Sequence, residues 1–204
     1  MQERGDGSGE QSYACSMKPT IIVLNGIGSV GKSSTAKALQ RMTSDHFLHV
    51  QGDMFLEMIS PKMWGHKDGI IFTQRETAGR KSVEIMMGAE VDRLMNGMRA
   101  SVAALANAGN NCIVDDVMLT RADQDSYLAA QMQGSLYFVG LHAPLGVLEQ
   151  RERDRGDRLE GLARWQLDRV HKGIRYDFEI DTSQNTPDEC ALAIAKALGI
   201  PIID

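Results

Sequence analysis

Apolar residues in this chain gather in short β-branched runs separated by longer stretches with helical spacing. Five such runs stand out: Thr20 to Leu24 (TIIVL), Phe47 to Val50 (FLHV), Cys112 to Val114 (CIV), Ser135 to Leu141 (SLYFVGL) and Tyr176 to Ile180 (YDFEI). Most are apolar nearly throughout rather than alternating, as strands covered on both faces must be; the last is more mixed. Strands of this kind alternating with helices form βαβ units. The pattern therefore predicts an α/β fold, with a five-stranded parallel sheet flanked by helices.

The clearest helical stretch runs from about Val83 to Ala108, where Met87, Val91, Leu94, Met98, Val102 and Leu105 recur at spacings of three and four. Gly109 and Asn110 supply its stop. A last helix is expected from Pro187, after Thr186, through Leu198 to Gly199, with proline at the first-turn position that tolerates it. Residues 60 to 82, broken by Pro61, Gly65, Gly69 and Gly79, read as an irregular insertion. Residues 1 to 17 are rich in glycine, serine and charge, too poor in apolar groups to order themselves, and are expected to form a flexible tail. Residues 18 to 204 show no repeat and no second core, so they are expected to be one domain.

Composition narrows the functional classes. The chain has 204 residues, enough for one domain to bury roughly 70% of its unfolded surface without disulfides or a structural metal. A net charge of -5 argues against non-specific nucleic-acid binding, which needs a basic face. Cys15, Cys112 and Cys190 are far apart and lack zinc or redox spacing. No apolar run approaches the ~18 residues of a membrane span, and no signal peptide is evident. A cytoplasmic protein is expected, with neither nucleic acid nor membrane as a partner.

The chemistry concentrates in GIGSVGKS, which spells two motifs at once. Gly26, Gly28 and Gly31 make the GxGxxG of a dinucleotide site, while Gly26, Gly31, Lys32 and Ser33 make the GxxxxGKS of a P-loop. Asp53 after the second run even sits where a dinucleotide fold places its ribose-binding acid. Lys32 and Ser33 decide between them. A P-loop needs an ammonium for the β- and γ-phosphates and a hydroxyl for Mg²⁺, and a dinucleotide site needs neither. Gly26, Gly28, Ser29, Gly31, Lys32, Ser33 and Ser34 are accordingly expected to hold the phosphates of ATP.

Other groups fall into place around this loop. Asp53, at the carboxyl end of a strand, points toward the crevice and is expected to act as catalytic base, with capping of the following short helix as the structural alternative. Asp115 and Asp116 end the third run, where a P-loop protein keeps the acid that serves Mg²⁺; alternation along a strand lets only one of them face the site. Arg151, Arg155 and Arg158 lie in EQRERDRGDR, the first two sharing a helix face and the last beyond the turn that Gly156 permits, so they are candidates for a lid over the phosphates. Met54, Met58, Met63, Met86, Met87, Met95 and Met98 are core filler or, some of them, the wall of an acceptor pocket. The five histidines show no metal spacing and read as structural.

Taken together, IIVLNGIGSVGKSS, VQGDMFLEMISPKM, CIVDDVML, RDRGDR and YDFEIDTS resemble the chloramphenicol phosphotransferase family of P-loop kinases, from about Lys18 to the C-terminus. The resemblance implies a nucleotide-kinase-like fold and transfer of the γ-phosphate of ATP to a hydroxyl of chloramphenicol or a similar small molecule. It also implies that Asp53 is the catalytic aspartate, Lys32 and Ser33 belong to the phosphate loop, and Arg155 and Arg158 form an arginine lid. Two other readings share the nucleotide-binding half: a nucleoside or other metabolite kinase, and an ATP-binding regulatory or toxin-like switch with no small-molecule acceptor.

Overall fold

The computed structural model describes residues 18–156 and 159–203; the predicted tail and Arg158 lie outside them. In chain order the elements begin with β1 (Thr20–Asn25), α1 (Lys32–Met42), β2 (Phe47–Gln51) and α2 (Gly52–Glu57), followed by a 3₁₀ turn at Pro61–Met63. Next come β3 (Ile70–Thr77), β4 (Arg80–Met87), α3 (Ala89–Asn107), β5 (Asn111–Asp116) and α4 (Arg121–Ala129). The chain continues through β6 (Ser135–His142), α5 (Leu145–Arg155), α6 (Leu162–Leu167), β7 (Phe178–Asp181) and α7 (Pro187–Leu198).

The five strands foreseen from the apolar runs form one sheet, in the order β2-β5-β1-β6-β7, with every pairing parallel. Alternation along the central strand β1 divides the core into two layers. Ile22 and Leu24 pack with Leu39 of α1, Leu148 of α5 and Ile194 of α7, whereas Ile21 and Val23 pack with Met98 and Val102 of α3 and Tyr127 of α4. Both faces of the sheet are thus covered, which explains why its strands carry apolar runs. The last helix starts where expected: Pro187 follows Thr186, whose hydroxyl and the Glu189 carboxylate form a capping box, and Gly199 ends it at φ 66°.

Two expectations are corrected. Residues 70 to 87 are neither irregular nor the start of the long helix; β3 and β4 form an antiparallel hairpin outside the main sheet, with Ile70 opposite Met87 and Phe72 opposite Ile85. Its two-residue turn, Ala78 and Gly79, is left-handed at φ 50° and 72°, the hand that matches the twist of a tight hairpin. The long helix begins only at Ala89, because Gly88 precedes it in extended conformation and packs against Lys67 and Asp68 too closely for a side chain.

Gly26, the first residue after β1, is packed against β6. A Cβ added there would stand 2.7 Å from the Leu141 carbonyl oxygen and 2.8 Å from Val30 Cγ1. Gly26→Ala should therefore cost about 1–3 kcal/mol of stability through overpacking. A lowered thermal midpoint in a calorimetric scan would register it.

Candidate active site

The carboxyl ends of β1, β2 and β5 meet at a cleft of about 1080 Å³. The loop from Gly26 to Gly31 enters it, turning at Ser29 (φ 66°) and Gly31 (φ 104°) before α1 starts at Lys32. Around Gly31 an added Cβ would meet open space, so its glycine serves backbone conformation rather than fit. The first turn of α1 has neither an acidic residue nor a side-chain cap, which leaves its amides to an anion. Lys32 is 7% exposed, and its Nζ donates to the carbonyls of Gly26 at 2.8 Å and Ile27 at 3.3 Å. Ser29 Oγ is buried with no hydrogen-bond partner among the described residues. An orphaned hydroxyl in a loop that leads into a helix N-terminus fits a phosphate oxygen.

The geometry separates the two aspartates that end β5. Asp115 Oδ2 accepts from Ser33 Oγ at 2.5 Å, its Oδ1 lies 3.8 Å from Lys32 Nζ, and His49 Nε2 lies 3.8 Å from Oδ2. Burial would raise its pKa, but His49, Lys32 and Ser33 together outweigh that and hold the carboxyl below its ordinary value. Asp116 points the other way. Its Oδ2 accepts from Tyr127 Oη at 2.8 Å and stands 3.8 Å from the Arg99 guanidinium, and its Oδ1 accepts from Val117 N at 2.7 Å. Burial pushes its carboxyl up against these partners. Asp116 is thus occupied in tying α3 and α4 to the sheet, although it also borders the cleft.

Asp53 lies on the cleft as the second residue of α2 and is exposed. The capping alternative does not hold, because Gln51 occupies the N-cap and makes no side-chain cap. Trp64, Ile70, Phe72, Ile85, Met87 and Met95 give the cleft an apolar wall, four of them supplied by the hairpin. The Trp64 and Phe72 rings stack there with centroids 6.1 Å apart. Of the methionines, Met87 and Met95 line the cleft, Met98 is core, and Met54, Met58 and Met86 are exposed. Trp64, Ile70 and Phe72 come from the stretch expected to be an irregular insertion, and Ile85, Met87 and Met95 from the stretch expected to be the long helix.

Arg155, at the end of α5, and Arg151, one turn earlier, both border the cleft. Arg151 donates to the Val30 carbonyl at 3.3 Å, to Thr182 Oγ1 at 3.1 Å and to the Thr182 carbonyl at 2.8 Å. It braces the phosphate loop against the strand end of β7. Glu152, buried, accepts from the Gly161 and Ala163 amides at 3.1 and 2.6 Å, fixing the start of α6.

Several supporting residues escaped sequence reading. Asn25 Nδ2 donates to the Val170 carbonyl at 2.8 Å and to Tyr176 Oη at 2.6 Å, and its Oδ1 accepts from Met118 N at 2.8 Å. Tyr176 Oη also meets His171 Nδ1 at 2.7 Å, while burial and the stacked His142 ring bring the His171 pKa down to about 4. A neutral His171 thus completes a polar knot beneath the phosphate loop. Only spatial proximity reveals it, since Asn25 lies 145 and 151 residues from its partners Val170 and Tyr176.

Comparison with known proteins agrees with this geometry. A family described as chloramphenicol phosphotransferase-like protein matches residues 19–199. The chain belongs to that family. A Mycobacterium tuberculosis (strain ATCC 25618 / H37Rv) protein named "Putative O-phosphotransferase Rv2636" is 28% identical over 181 residues, covering 84% of this chain and 78% of its own. Among solved structures, a sugar kinase from Janibacter sp. HTCC2649 superposes with a TM-score of 0.64 at 19% identity, over 89% of this chain and 95% of that one. The Mycobacterium tuberculosis APS kinase CysC, solved with AMPPNP and APS, gives a TM-score of 0.60 at 13% identity, over 90% and 99%. At such identities the structures establish the fold, and it is that of P-loop kinases. This member of the chloramphenicol phosphotransferase-like family is accordingly a P-loop kinase that uses a nucleotide to phosphorylate a small molecule. Among its described residues no helix is long and apolar enough to cross a membrane.

Proposed function

We propose that the protein transfers the γ-phosphate of ATP to a hydroxyl of a neutral small molecule with an aromatic or apolar body, chloramphenicol or a similar compound. The observation that carries this reading is one cleft lined by the phosphate loop, by Asp53 and by the apolar Trp64, Phe72, Ile85, Met87 and Met95. Acidic Asp53 and Glu57 on the acceptor side disfavour an anionic acceptor, whose charge they would repel.

In this reading the loop amides and Lys32 hold the β- and γ-phosphates, and Arg155 adds positive charge from the open side. Asp53 orients the acceptor hydroxyl in line with the γ-phosphorus. As the new O–P bond forms and the bond to the β-phosphate oxygen breaks, ADP leaves and the hydroxyl proton passes late to the Asp53 carboxylate, as a loose transition state permits. Ser33 and Asp115 offer the hard oxygens that would hold Mg²⁺, and the ion would supply positive charge to the phosphates.

A panel of acceptors incubated with γ-labelled ATP tests the proposal. Label is expected on chloramphenicol or a related amphenicol, in a reaction that stops on chelation of Mg²⁺. Label on nucleosides or sugars alone would move the protein to another acceptor class. Nucleotide binding without transfer, with a protein partner retained in pull-downs, would favour a regulatory switch instead.

A further inference from the structure

One buried polar side chain in the cleft has no part in the chemistry just described. Gln166, on α6, is 4% exposed and lines the cleft beside the phosphate loop. Its Oε1 accepts from the backbone N–H of Gly28 at 2.7 Å, across 138 residues of sequence. Because a backbone amide can only donate, this contact fixes the orientation of the carboxamide: oxygen on the loop, NH₂ elsewhere. Among the described residues that NH₂ has no hydrogen-bond partner, and Gln166 borders the cleft.

The position of Gly28 indicates what would sit there. Lys32 Nζ is anchored at the carbonyls of Gly26 and Ile27, immediately before Gly28. A P-loop lysine reaches the β- and γ-phosphates, so the beginning of the loop marks the γ end of the nucleotide. The helical end, at Ser33, marks the β-phosphate and metal end. Gln166 therefore stands at the γ end, and its support is rigid: α6 is pinned to α5 by Glu152 and to the hairpin by the Val83 N–H to Gly161 carbonyl bond at 3.0 Å.

We infer that Gln166 is a further phosphate-binding residue, its Oε1 setting the Gly28 amide while its NH₂ donates to an oxygen of the γ-phosphate. The inference rests on the nucleotide site proposed above but not on the identity of the acceptor. It gives this enzyme a neutral donor at the transferring group, which favours a triphosphate over a diphosphate and helps product ADP to leave.

Gln166→Glu separates the two halves of the role. Glutamate keeps an acceptor for the Gly28 amide, but it turns a carboxylate, without a donor, toward the phosphate. Calorimetric titration of the full chain with AMPPNP and with ADP, each with Mg²⁺, should show AMPPNP affinity lowered about tenfold to a hundredfold, the range of a lost hydrogen bond to a charged group. ADP affinity should stay within about threefold of wild type. An unchanged ratio of the two affinities would overturn the inference and leave Gln166 as a loop brace. Should the buried carboxylate prevent folding, Gln166→Met, similar in volume and lacking the donor, is judged by the same ratio. Failure of the wild-type protein to bind either nucleotide would instead strike at the nucleotide site itself, so the two failures are distinguishable.

Discussion

Asp53→Asn is expected to lower the turnover number by about 10²–10⁴, the usual contribution of a positioned general base, while nucleotide affinity stays at the wild-type level. The substitution keeps the size and shape of the side chain but turns one accepting oxygen into a donor and removes the charge that would take a proton. Asp53 is exposed and is not the N-cap of α2, so the fold should tolerate the change with little effect on thermal midpoint. Single-turnover measurement with γ-labelled ATP and the best acceptor, beside ADP titration, reads both quantities. A variant that transfers phosphate at the wild-type rate would remove Asp53 from the role of base.

Lys32→Met should be comparably severe for a different reason. It removes the ammonium from the floor of the phosphate loop, where a lost donor costs about 10²–10³ in rate, and here nucleotide affinity should fall as well. Lys32→Arg should not rescue the loss, since a broad planar fork cannot occupy a buried site shaped by two loop carbonyls. The variant also exposes an effect of pH. In the wild type the Asp115 carboxyl titrates below its ordinary value, so it adds stability above the unfolded-state pKa that is lost as pH falls through the folded value. Removing the Lys32 charge raises that folded value. Acid unfolding should then begin at higher pH, visible in thermal midpoints recorded from about pH 3 to 5.

The sheet and phosphate loop could be read from sequence because each obeys a local rule. Strands buried on both faces are apolar almost throughout, and GxxxxGKS between a strand and a helix has few other uses. The hairpin was hidden for equally physical reasons. It lies outside the main sheet with one face in solvent, so Arg75, Glu76, Arg80 and Lys81 dilute its apolar face, and its turn carries alanine where asparagine or aspartate would announce it. Met87 and Val91 then lie four apart across Gly88, and that helical spacing joined two elements that the backbone keeps separate. Asp53 and the arginine segment were legible as residues facing a crevice, whereas Gln166 and Asn25 were not. Their hydrogen bonds span 138, 145 and 151 positions, and no window of sequence contains both ends.

The adjacent carboxylates of Asp115 and Asp116 have a consequence for how faithfully the chain folds. They project to opposite sides of β5, one onto Ser33 and Lys32, the other onto Tyr127 and Arg99. A one-residue slip of β5 against β1 would reverse every side chain on the strand. Asp115 would turn away from Ser33 and Lys32, and in one of the two directions of slip Val114 would take its place at the phosphate loop. A slip in that direction would leave Lys32 without its β5 carboxylate, and the opposite slip would do the same to Arg99 and Tyr127, so the two aspartates together penalise misalignment of the sheet.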